Sequence, residues 1–344
     1  MLARFFAHLK TRLETETGAE TGTAGITSVV LGRPVHFVDG DPAADLAAQG
    51  VLEEIALSAG FREVAFQFEP IAAALQYEQS VAREELVLIV DIGGGTSDFS
   101  IVRVSPARAD QARAGRVDRA ADILANDGIR VGGTDLDRLL SLAEVMPHLG
   151  FLAPTGGGKG LMPRHYFLDM ASWHRINMLY TARVASDLKA LSQVADRPEL
   201  IQRFIKVVAT RQGHALAMAV EAAKIALSEA GSGAGAGAGA SAGAVRIAMS
   251  ELTGGPNPVV RRAGFEAAVE APVARIRAAL GAVLAQAGVG AQDIGTVFMT
   301  GGSSGLPVVR AVVAGVLPGV RIATGDMLGS VGTGLALEAR ARFR

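Results

Sequence analysis

Three consecutive glycines framed by acidic and hydroxyl side chains make residues 91–98 (DIGGGTSD) the segment with the clearest chemical potential. Glycine has no Cβ atom, so the backbone N–H groups of such a turn can converge on an anion. The carboxylate of Asp91 would repel a bare phosphate, and the pattern therefore favours a phosphate bridged by Mg²⁺. An ordinary tight turn would explain one or two glycines, but not three placed between Asp91, the hydroxyl of Thr96 and Asp98.

A second glycine turn, Gly301-Gly302-Ser303, follows the apolar run of residues 296–300. By itself this pattern is weak, because turns from a strand through glycine to a helix are common in α/β proteins. As the partner of the first turn it gains meaning. Two such turns that face each other across a cleft could hold a nucleotide between two lobes.

The elements that must position these turns follow from hydrophobic periodicity. Residues 86–90 and 99–104 are apolar runs on either side of the first turn, which predicts a buried β-hairpin rather than the strand-to-helix layout of a dinucleotide site. Glu69 and Pro70 begin an alanine-rich helix, with proline in the first turn, where its missing N–H costs little.

The remaining periodicity predicts several further elements, and polar or small residues predict the loops between them. Strands are predicted at residues 26–31, 64–68, 245–249 and 320–323, and helices at residues 1–18, 42–58, 173–195, 198–227, 264–286 and 307–317, with one more starting near residue 136 and one closing the chain. Residues 105–128 are predicted as a polar loop or loose hairpin and residues 230–244 as a flexible loop, while Trp173 is predicted to belong to a local core.

Composition excludes several classes of function. The chain has 344 residues, of which 49% are apolar, enough for two or three compact units. A net charge of −1 gives no basic excess for nucleic acid, and the absence of cysteine excludes disulfides and thiolate chemistry. No apolar run is long enough to span a bilayer, and the first ten residues read as an amphipathic helix rather than a signal peptide, so we expect a cytoplasmic protein.

Taken together, the motifs resemble those of DnaK-type heat-shock chaperones, and within that family the YegD-like branch. The similar segments, in the family's order, are residues 69–75 (EPIAAAL), 90–98 (VDIGGGTSD), 132–137 (GGTDLD), 221–228 (EAAKIALS) and 300–304 (TGGSS), followed by Asp326. The resemblance implies an α/β protein with the actin-like ATPase (ribonuclease H-like) fold. It also implies ATP or ADP with Mg²⁺ as cofactors, and unfolded-protein clients or co-chaperones as partners.

The resemblance assigns roles to individual residues. It implies catalytic roles for Glu69, Asp91 and Thr96, with Asp91 holding Mg²⁺ through water and Glu69 helping to place the metal and the attacking water. The residues that would contact the nucleotide's phosphate, ribose or base are Gly93, Gly94, Gly95, Gly132, Gly133, Glu221, Lys224, Ser228, Gly301, Gly302, Ser303 and Asp326.

The chain also departs from the family pattern. The family opens with an Asp-x-Gly-Thr turn, and no such motif precedes Glu69, which argues against hydrolysis in this form. Ile225 stands where a basic residue usually stacks on adenine, and a second basic residue is missing near Gly305. We therefore expect an N-terminally truncated first lobe over residues 1–84. The second lobe would be complete, with a core over residues 85–135 and 290–330, a helical/β subdomain over 136–289, and a closing helix over 331–344.

A first lobe reduced to two strands would leave an open sheet edge, so self-association through this remnant is expected. Three other functions remain open at this stage. The chain could be a sugar or small-acid kinase of the same superfamily, an actin-like scaffold that assembles with nucleotide, or a nucleotide-free relic.

Overall fold

The computed structural model describes residues 2–21, 25–38, 40–113, 119–229, 243–326 and 329–343. The helices are α1 (Leu2–Thr21), α2 (Pro42–Ser58), α3 (Glu69–Glu78), α4 (Pro106–Arg113), α5 (Gly133–Leu140), α6 (Arg164–Met170), α7 (Ala182–Val194), α8 (Pro198–Ala209), α9 (Gly213–Glu229), α10 (Ser250–Thr253), α11 (Arg262–Ala268), α12 (Glu270–Ala287), α13 (Pro307–Val316) and α14 (Ser330–Arg342). The strands are β1 (Ser28–Arg33), β2 (Glu63–Phe68), β3 (Glu85–Ile92), β4 (Ser97–Val104), β5 (Ile123–Ile129), β6 (Pro154–Thr155), β7 (Gly160–Leu161), β8 (Ala244–Arg246), β9 (Val259–Arg261), β10 (Ile294–Thr300) and β11 (Arg321–Thr324). In the described residues, no helix is long and apolar enough to cross a bilayer.

A mixed five-stranded sheet with the order β11-β10-β3-β4-β5 is the central layer of the molecule. The predicted hairpin is confirmed, because β3 and β4 are antiparallel and Ile92 pairs with Ser97. Strand β10 is parallel to both β3 and β11, so the carboxyl ends of β3 and β10 lie at the same edge. Both faces of β3 are apolar and buried, as expected for a strand covered on each side.

A second, two-stranded parallel sheet forms from β1 and β2, where the sequence predicted strands. Helix α14 packs against β1 and α3 and so connects this small sheet to the rest of the molecule. The crossing of α3 and α14 is very close: a Cβ atom on Gly334 would lie 2.8 Å from the Cα of Ala72 and closer still to its carbonyl group. Only glycine fits at this crossing.

Residues 105–128 were predicted as a loop or loose hairpin, and this prediction is wrong for much of the segment. It contains α4 and most of β5, which completes the sheet by pairing with β4. The sequence of β5, ILANDGI, has only a weak alternation of apolar and polar residues. Pairing across the sheet, rather than local pattern, makes this segment a strand.

The predicted long helices are shorter than the sequence indicated. The helix expected over 198–227 is two helices, α8 and α9, separated at Arg211, whose φ of 54° is left-handed. The helix expected over 264–286 is likewise divided into α11 and α12, and the one over 173–195 begins only at α7. The helical spacing of apolar residues continues across each division, because the helices on both sides bury apolar residues in the same core.

Trp173 is also placed differently from the prediction. Its side chain is 48% exposed and meets the ring of His214 edge-on at 4.7 Å. Phe167, by contrast, is fully buried and packs against Phe204. The local core therefore forms without the tryptophan. Residues 230–242 of the predicted flexible loop lie outside the described residues.

Candidate functional site

The glycine turn between β3 and β4 is closed by a hydrogen bond from the Gly93 N–H to the Thr96 carbonyl, at 3.0 Å. No acceptor in the described part of the chain takes the N–H groups of Gly94 or Gly95. Two backbone donors at the carboxyl end of a buried strand can therefore serve a ligand.

Helix α5 begins directly on this turn. The N–H groups of Gly133 and Thr134 donate to the carbonyls of Gly93 and Gly94, at 2.9 and 2.8 Å. Gly132 packs so closely that a Cβ atom there would lie 2.5 Å from the Gly94 carbonyl oxygen. Gly132 and Gly133 thus hold α5 against the turn, and the Gly133 N–H is used within the protein.

The second glycine turn lies beside the first. Thr300 at the end of β10 pairs with Asp91 at the end of β3, and the Ser303 N–H donates to the Ile92 carbonyl at 3.0 Å. Gly301 has a φ of +80°, and a Cβ atom on it would meet the Asp91 carboxylate. The two turns that the sequence singled out are therefore joined, with the carboxylate of Asp91 between them.

A cleft of about 1110 Å³ opens beside the two turns and is lined by residues from the turns and from α5, α9 and α13. Ten of the residues predicted to contact nucleotide or metal line it: Asp91, Gly93, Gly94, Gly133, Glu221, Lys224, Ser228, Gly301, Gly302 and Ser303. Residues more than 200 positions apart in the chain thus share one concave surface, the usual form of a small-molecule site.

The other predicted site residues lie around this cleft rather than in its lining. Glu69 and Thr96 line a second cavity of about 470 Å³, which meets the cleft at Asp91. Gly95 is adjacent to Gly132 in the packing of α5 against the turn. Asp326 lies between β11 and α14, where its carbonyl accepts hydrogen bonds from the N–H and hydroxyl of Ser330.

Three carboxylates lie close together where the two cavities meet. Burial, and then the negative charge of Asp98, raise the pKa of Asp91 to about 6. Burial also raises the pKa of Glu69, with added repulsion from Asp91 and Asp98. A divalent cation would relieve this concentration of negative charge, so the residues fit Mg²⁺. Within the described residues, no group of three or more carboxylate or histidine side chains could together hold a metal ion.

Lys224 is the buried cation of the cleft, with 5% of its surface exposed. Its Nζ donates to Asp137 Oδ2 at 2.8 Å and more weakly to the Gly133 carbonyl at 3.4 Å. The pKa of Asp137 is raised, because the effect of burial outweighs the opposing effect of Lys224. Asp137 Oδ1 has no hydrogen-bond partner in the described residues. Lys224 therefore ties α9 to α5 at the floor of the cleft.

Among the lining residues that were not predicted to contact the nucleotide or metal, several have polar side chains, including Thr300, Asp137 and Arg310. Thr300 and Asp137 lie inside recognised segments and could have been found from strand and helix spacing, since Asp137 is one turn after Gly133. Arg310, on α13, had no such signal, because it belongs to no motif and enters the cleft only through the packing of α13.

A glycine-rich loop that superficially suggests phosphate binding, residues 155–160, is not part of this site. Gly156, Gly157 and Gly158 all have positive φ, and the N–H groups of Gly157 and Gly158 each donate to the Asp196 carboxylate at 2.7 Å. The chain's own carboxylate occupies this anion-binding turn.

Comparison with known proteins finds similarity to Hsp70-type chaperones. The family model described as "Hsp70 protein" matches residues 1–121 and 209–322. Chaperone protein HscA of Serratia proteamaculans is 27% identical over 298 residues, covering 86% of this chain and 34% of the relative. An HscA homolog of Vibrio parahaemolyticus is 30% identical over 141 residues, covering 41% of this chain and 20% of the relative. HscA of Salmonella paratyphi B is 26% identical over 293 residues, covering 85% of this chain and 33% of the relative. The chain spans about a third of the length of the first and third of these relatives.

Proposed function

Since this chain belongs to the Hsp70 family, we propose that it is a DnaK-like chaperone nucleotide-binding domain that holds ATP or ADP with Mg²⁺ in the cleft between its two glycine turns. The observation that carries the proposal is the junction of those turns. The Ser303 N–H bonds to the Ile92 carbonyl, so the free N–H of Gly94 and the carboxylate of Asp91 share one end of the cleft, and the free N–H of Gly95 follows directly after Gly94.

The chemistry of this end suits a metal-bridged polyphosphate. Backbone N–H groups supply partial positive charge without a side chain, while Asp91 supplies the negative charge that attracts Mg²⁺. Mg²⁺ would neutralise the phosphate charge when bound. Phosphoryl transfer depends mainly on such positioning and charge neutralisation. Glu69 and Thr96, at the adjoining cavity, are proposed to act on the phosphate side from the direction of α3 and β4.

The opposite end of the cleft is proposed to receive the nucleoside. Glu221, Lys224 and Ser228 project from one face of α9 at helical spacing. The nucleotide roles of these three residues stay predictions, and so do those of all the other predicted site residues, including Gly95, Gly132, Gly133 and Asp326. Gly132 and Gly133 are proposed to act mainly by holding α5 against the phosphate turn, because Gly132 packs against Gly94 and Gly95 and the Gly133 N–H donates to the Gly93 carbonyl.

The actin-like ATPase fold implied by the family agrees with the mixed sheet and its flanking helices. We propose the division into a first-lobe part over residues 1–84, a core over 85–135 and 290–330, a helical/β part over 136–289 and a closing helix over 331–344. Membership of the YegD-like branch, a cytoplasmic location, and clients or co-chaperones as partners also stay predictions.

Self-association through residues 1–84 stays a prediction as well. Helix α1 exposes four large apolar side chains at helical spacing, Leu2, Phe5, Leu9 and Leu13, which would be the first surface to examine. A monodisperse monomer in light scattering that unfolds cooperatively would contradict this prediction.

The direct test is calorimetric titration of the chain with Mg-ATP, Mg-ADP, and ATP in the presence of EDTA. We expect saturable binding that weakens strongly without Mg²⁺ and in Asp91→Asn. The matched control is Arg277→Ala, which removes an exposed charge from α12 outside the cleft. Equal binding by wild type and Asp91→Asn would refute the role of Asp91. If neither wild type nor the variants bind nucleotide, the alternative of a nucleotide-free relic is favoured.

Hydrolysis needs a separate measurement. Phosphate release from Mg-ATP by the wild type, compared with Glu69→Gln, separates a binding domain from an active ATPase. If ATP binds but the two rates are both at background, the chain binds nucleotide without turnover. Nucleotide-dependent sedimentation would instead favour the scaffold, and ATP-dependent phosphorylation of a sugar would favour the kinase.

A further inference from the structure

Helix α3 carries one glutamate at each end: Glu69 is its first residue and Glu78 its last, about 14 Å away along the helix axis. The negative charges of Asp91 and Asp98 repel Glu69. Within the described residues, no hydrogen bond or ion pair holds the Glu69 carboxylate. Contacts elsewhere on α3 must therefore keep its start beside the acidic end of the cleft.

The apolar side of α3 packs on the five-stranded sheet, where Ile71 and Leu75 join a buried cluster with Val87 and Phe298. Much of this helix is alanine, and Ala72–Ala74 are all buried. Apolar contact is non-directional, and alanine methyl groups are too short to interlock deeply with neighbouring side chains. Such packing holds α3 on the sheet without fixing its position along the helix axis.

Directional contacts come from the other end of α3. In the described part of the chain, Tyr77 and Glu78 are the only side chains of this helix that form hydrogen bonds with other elements. The Tyr77 hydroxyl bonds to Glu85 and to the exposed Arg321. The side chain of Glu78, by contrast, is completely buried.

Both carboxylate oxygens of Glu78 accept hydrogen bonds from the guanidinium of Arg119, at 2.9 and 3.0 Å. One of these oxygens also accepts from the Ser105 N–H at 3.0 Å. Ser105 follows β4 directly, and Arg119 lies in a helical turn over residues 119–122 that leads into β5. Because a bidentate pair has a strict geometry, it defines one position of α3 relative to these two strands.

Arg119 is itself held in place by Asp122, which is buried and also bonded to Arg108 on α4. Arg108 would still neutralise Asp122 if Arg119 were replaced. Burying charges gives little net stability, because their desolvation offsets their attraction. The best-supported advantage of such a pair is that it specifies one register of the elements it joins.

We propose that Glu78 and Arg119 are positioning residues for the phosphate and metal end of the cleft: their pair fixes α3 on the sheet that carries Asp91, and so fixes Glu69 relative to Asp91. This inference rests on the proposed nucleotide function. Strands β3, β4 and β5 are neighbours in one sheet, so an anchor beside β4 and β5 is rigidly connected to Asp91. Without the anchor, repulsion would move Glu69 away from Asp91, and the site would attract Mg²⁺ less.

The test removes the pair without leaving a buried charge. Glu78→Leu with Arg119→Met should keep the urea midpoint near that of wild type, because apolar residues of similar size can replace a buried ion pair. Its calorimetric affinity for Mg-ATP should fall about tenfold, as when residues that orient a metal site are lost, while its affinity for ATP in EDTA stays unchanged. The matched control is Asp169→Leu with Arg175→Met, which removes an ion pair outside both cavities and should change neither affinity.

Repeating the double replacement in Glu69→Gln separates positioning from a general structural role. If the pair acts through Glu69, its removal should cause no further loss of Mg-ATP affinity in that background. An equal loss in both backgrounds would overturn the inference. Should the double variant fail to fold, Arg119→Lys is measured in its place, because it keeps the charge but loses the bidentate fork.

The ratio of Mg-ATP affinity to ATP affinity in EDTA decides the outcome, and we expect it to fall in either variant. A ratio equal to that of wild type would overturn the inference and leave the proposed function standing. Wild type that binds no nucleotide, or binds it equally with and without Mg²⁺, would overturn both.

Discussion

Gly301 and Asp91 are in direct contact at the junction of the two glycine turns: the left-handed backbone of Gly301, with a φ of +80°, lies against the Asp91 carboxylate. A Cβ atom at this position would also lie 2.5 Å from the Ile92 carbonyl oxygen. The absence of a side chain at one turn therefore makes room for the acidic group of the other. The geometry of the proposed metal site depends on both residues.

Substitution of Gly301 should disturb stability and binding together. We expect Gly301→Ala to lower the free energy of unfolding by about 2–4 kcal/mol, through the positive φ and overlap with a backbone carbonyl that cannot move aside. Mg-ATP affinity should fall as well. Gly281→Ala is the control, because this exposed glycine of α12 has open space around it and its replacement should be neutral or slightly stabilising. Equal urea midpoints for the two variants would contradict the argument.

Asp91 should make the ligand-free protein less stable as pH rises. The pKa of Asp91 is about 6 in the folded state, which is above that of an aspartate in the unfolded chain. Between about pH 4 and 6 the Asp91 carboxyl therefore holds its proton in the folded state more than in the unfolded state. The stability from this proton is present below pH 4 and is lost as pH rises through 6. Asp91→Asn should flatten this part of the stability profile and be more stable at pH 7.5, by up to about 3 kcal/mol. Urea unfolding at several pH values measures this, and superimposable profiles would refute it.

The buried pair of Lys224 and Asp137 should show strong coupling. Lys224→Met leaves a largely buried carboxylate without its cation, and we expect a loss of about 3 kcal/mol of stability. Replacing both residues, as Lys224→Met with Asp137→Leu, should recover most of that loss because no charge then remains buried. A double-mutant cycle by chemical denaturation gives the coupling energy, and additive single effects would show that the pair does not act as a unit.

The crossing of α3 and α14 offers a matched pair of glycines on one helix. A Cβ atom on Gly334 would collide with the backbone of Ala72, whereas one on Gly332 would have nothing within 4 Å. Gly334→Ala should therefore destabilise the protein by about 1–3 kcal/mol, and Gly332→Ala should be neutral or stabilising. Thermal unfolding of both variants decides the matter, and a similar loss in each would point to helix propensity rather than packing.

Segments with a strong local pattern were predictable from the sequence. The bounds of α2, the hairpin of β3 and β4, and the strand before Gly301 follow from apolar runs that end at glycine or proline. The same reasoning failed at β5, whose weak alternation becomes a strand only by pairing with β4. It also failed at Arg211, where a left-handed residue without any glycine or proline signal at that position divides two helices.

The sequence by itself determined where a metal-bridged phosphate is predicted to bind, because three glycines and Asp91 fall within one short turn. It also located the α9 segment that bears Lys224. Only the tertiary structure decided that Ser303 bonds to Ile92, that Asp137 neutralises Lys224, and that Arg310 reaches the same cleft. These relationships join residues far apart in the chain, and their geometry arises from sheet order and helix packing, which no local pattern specifies.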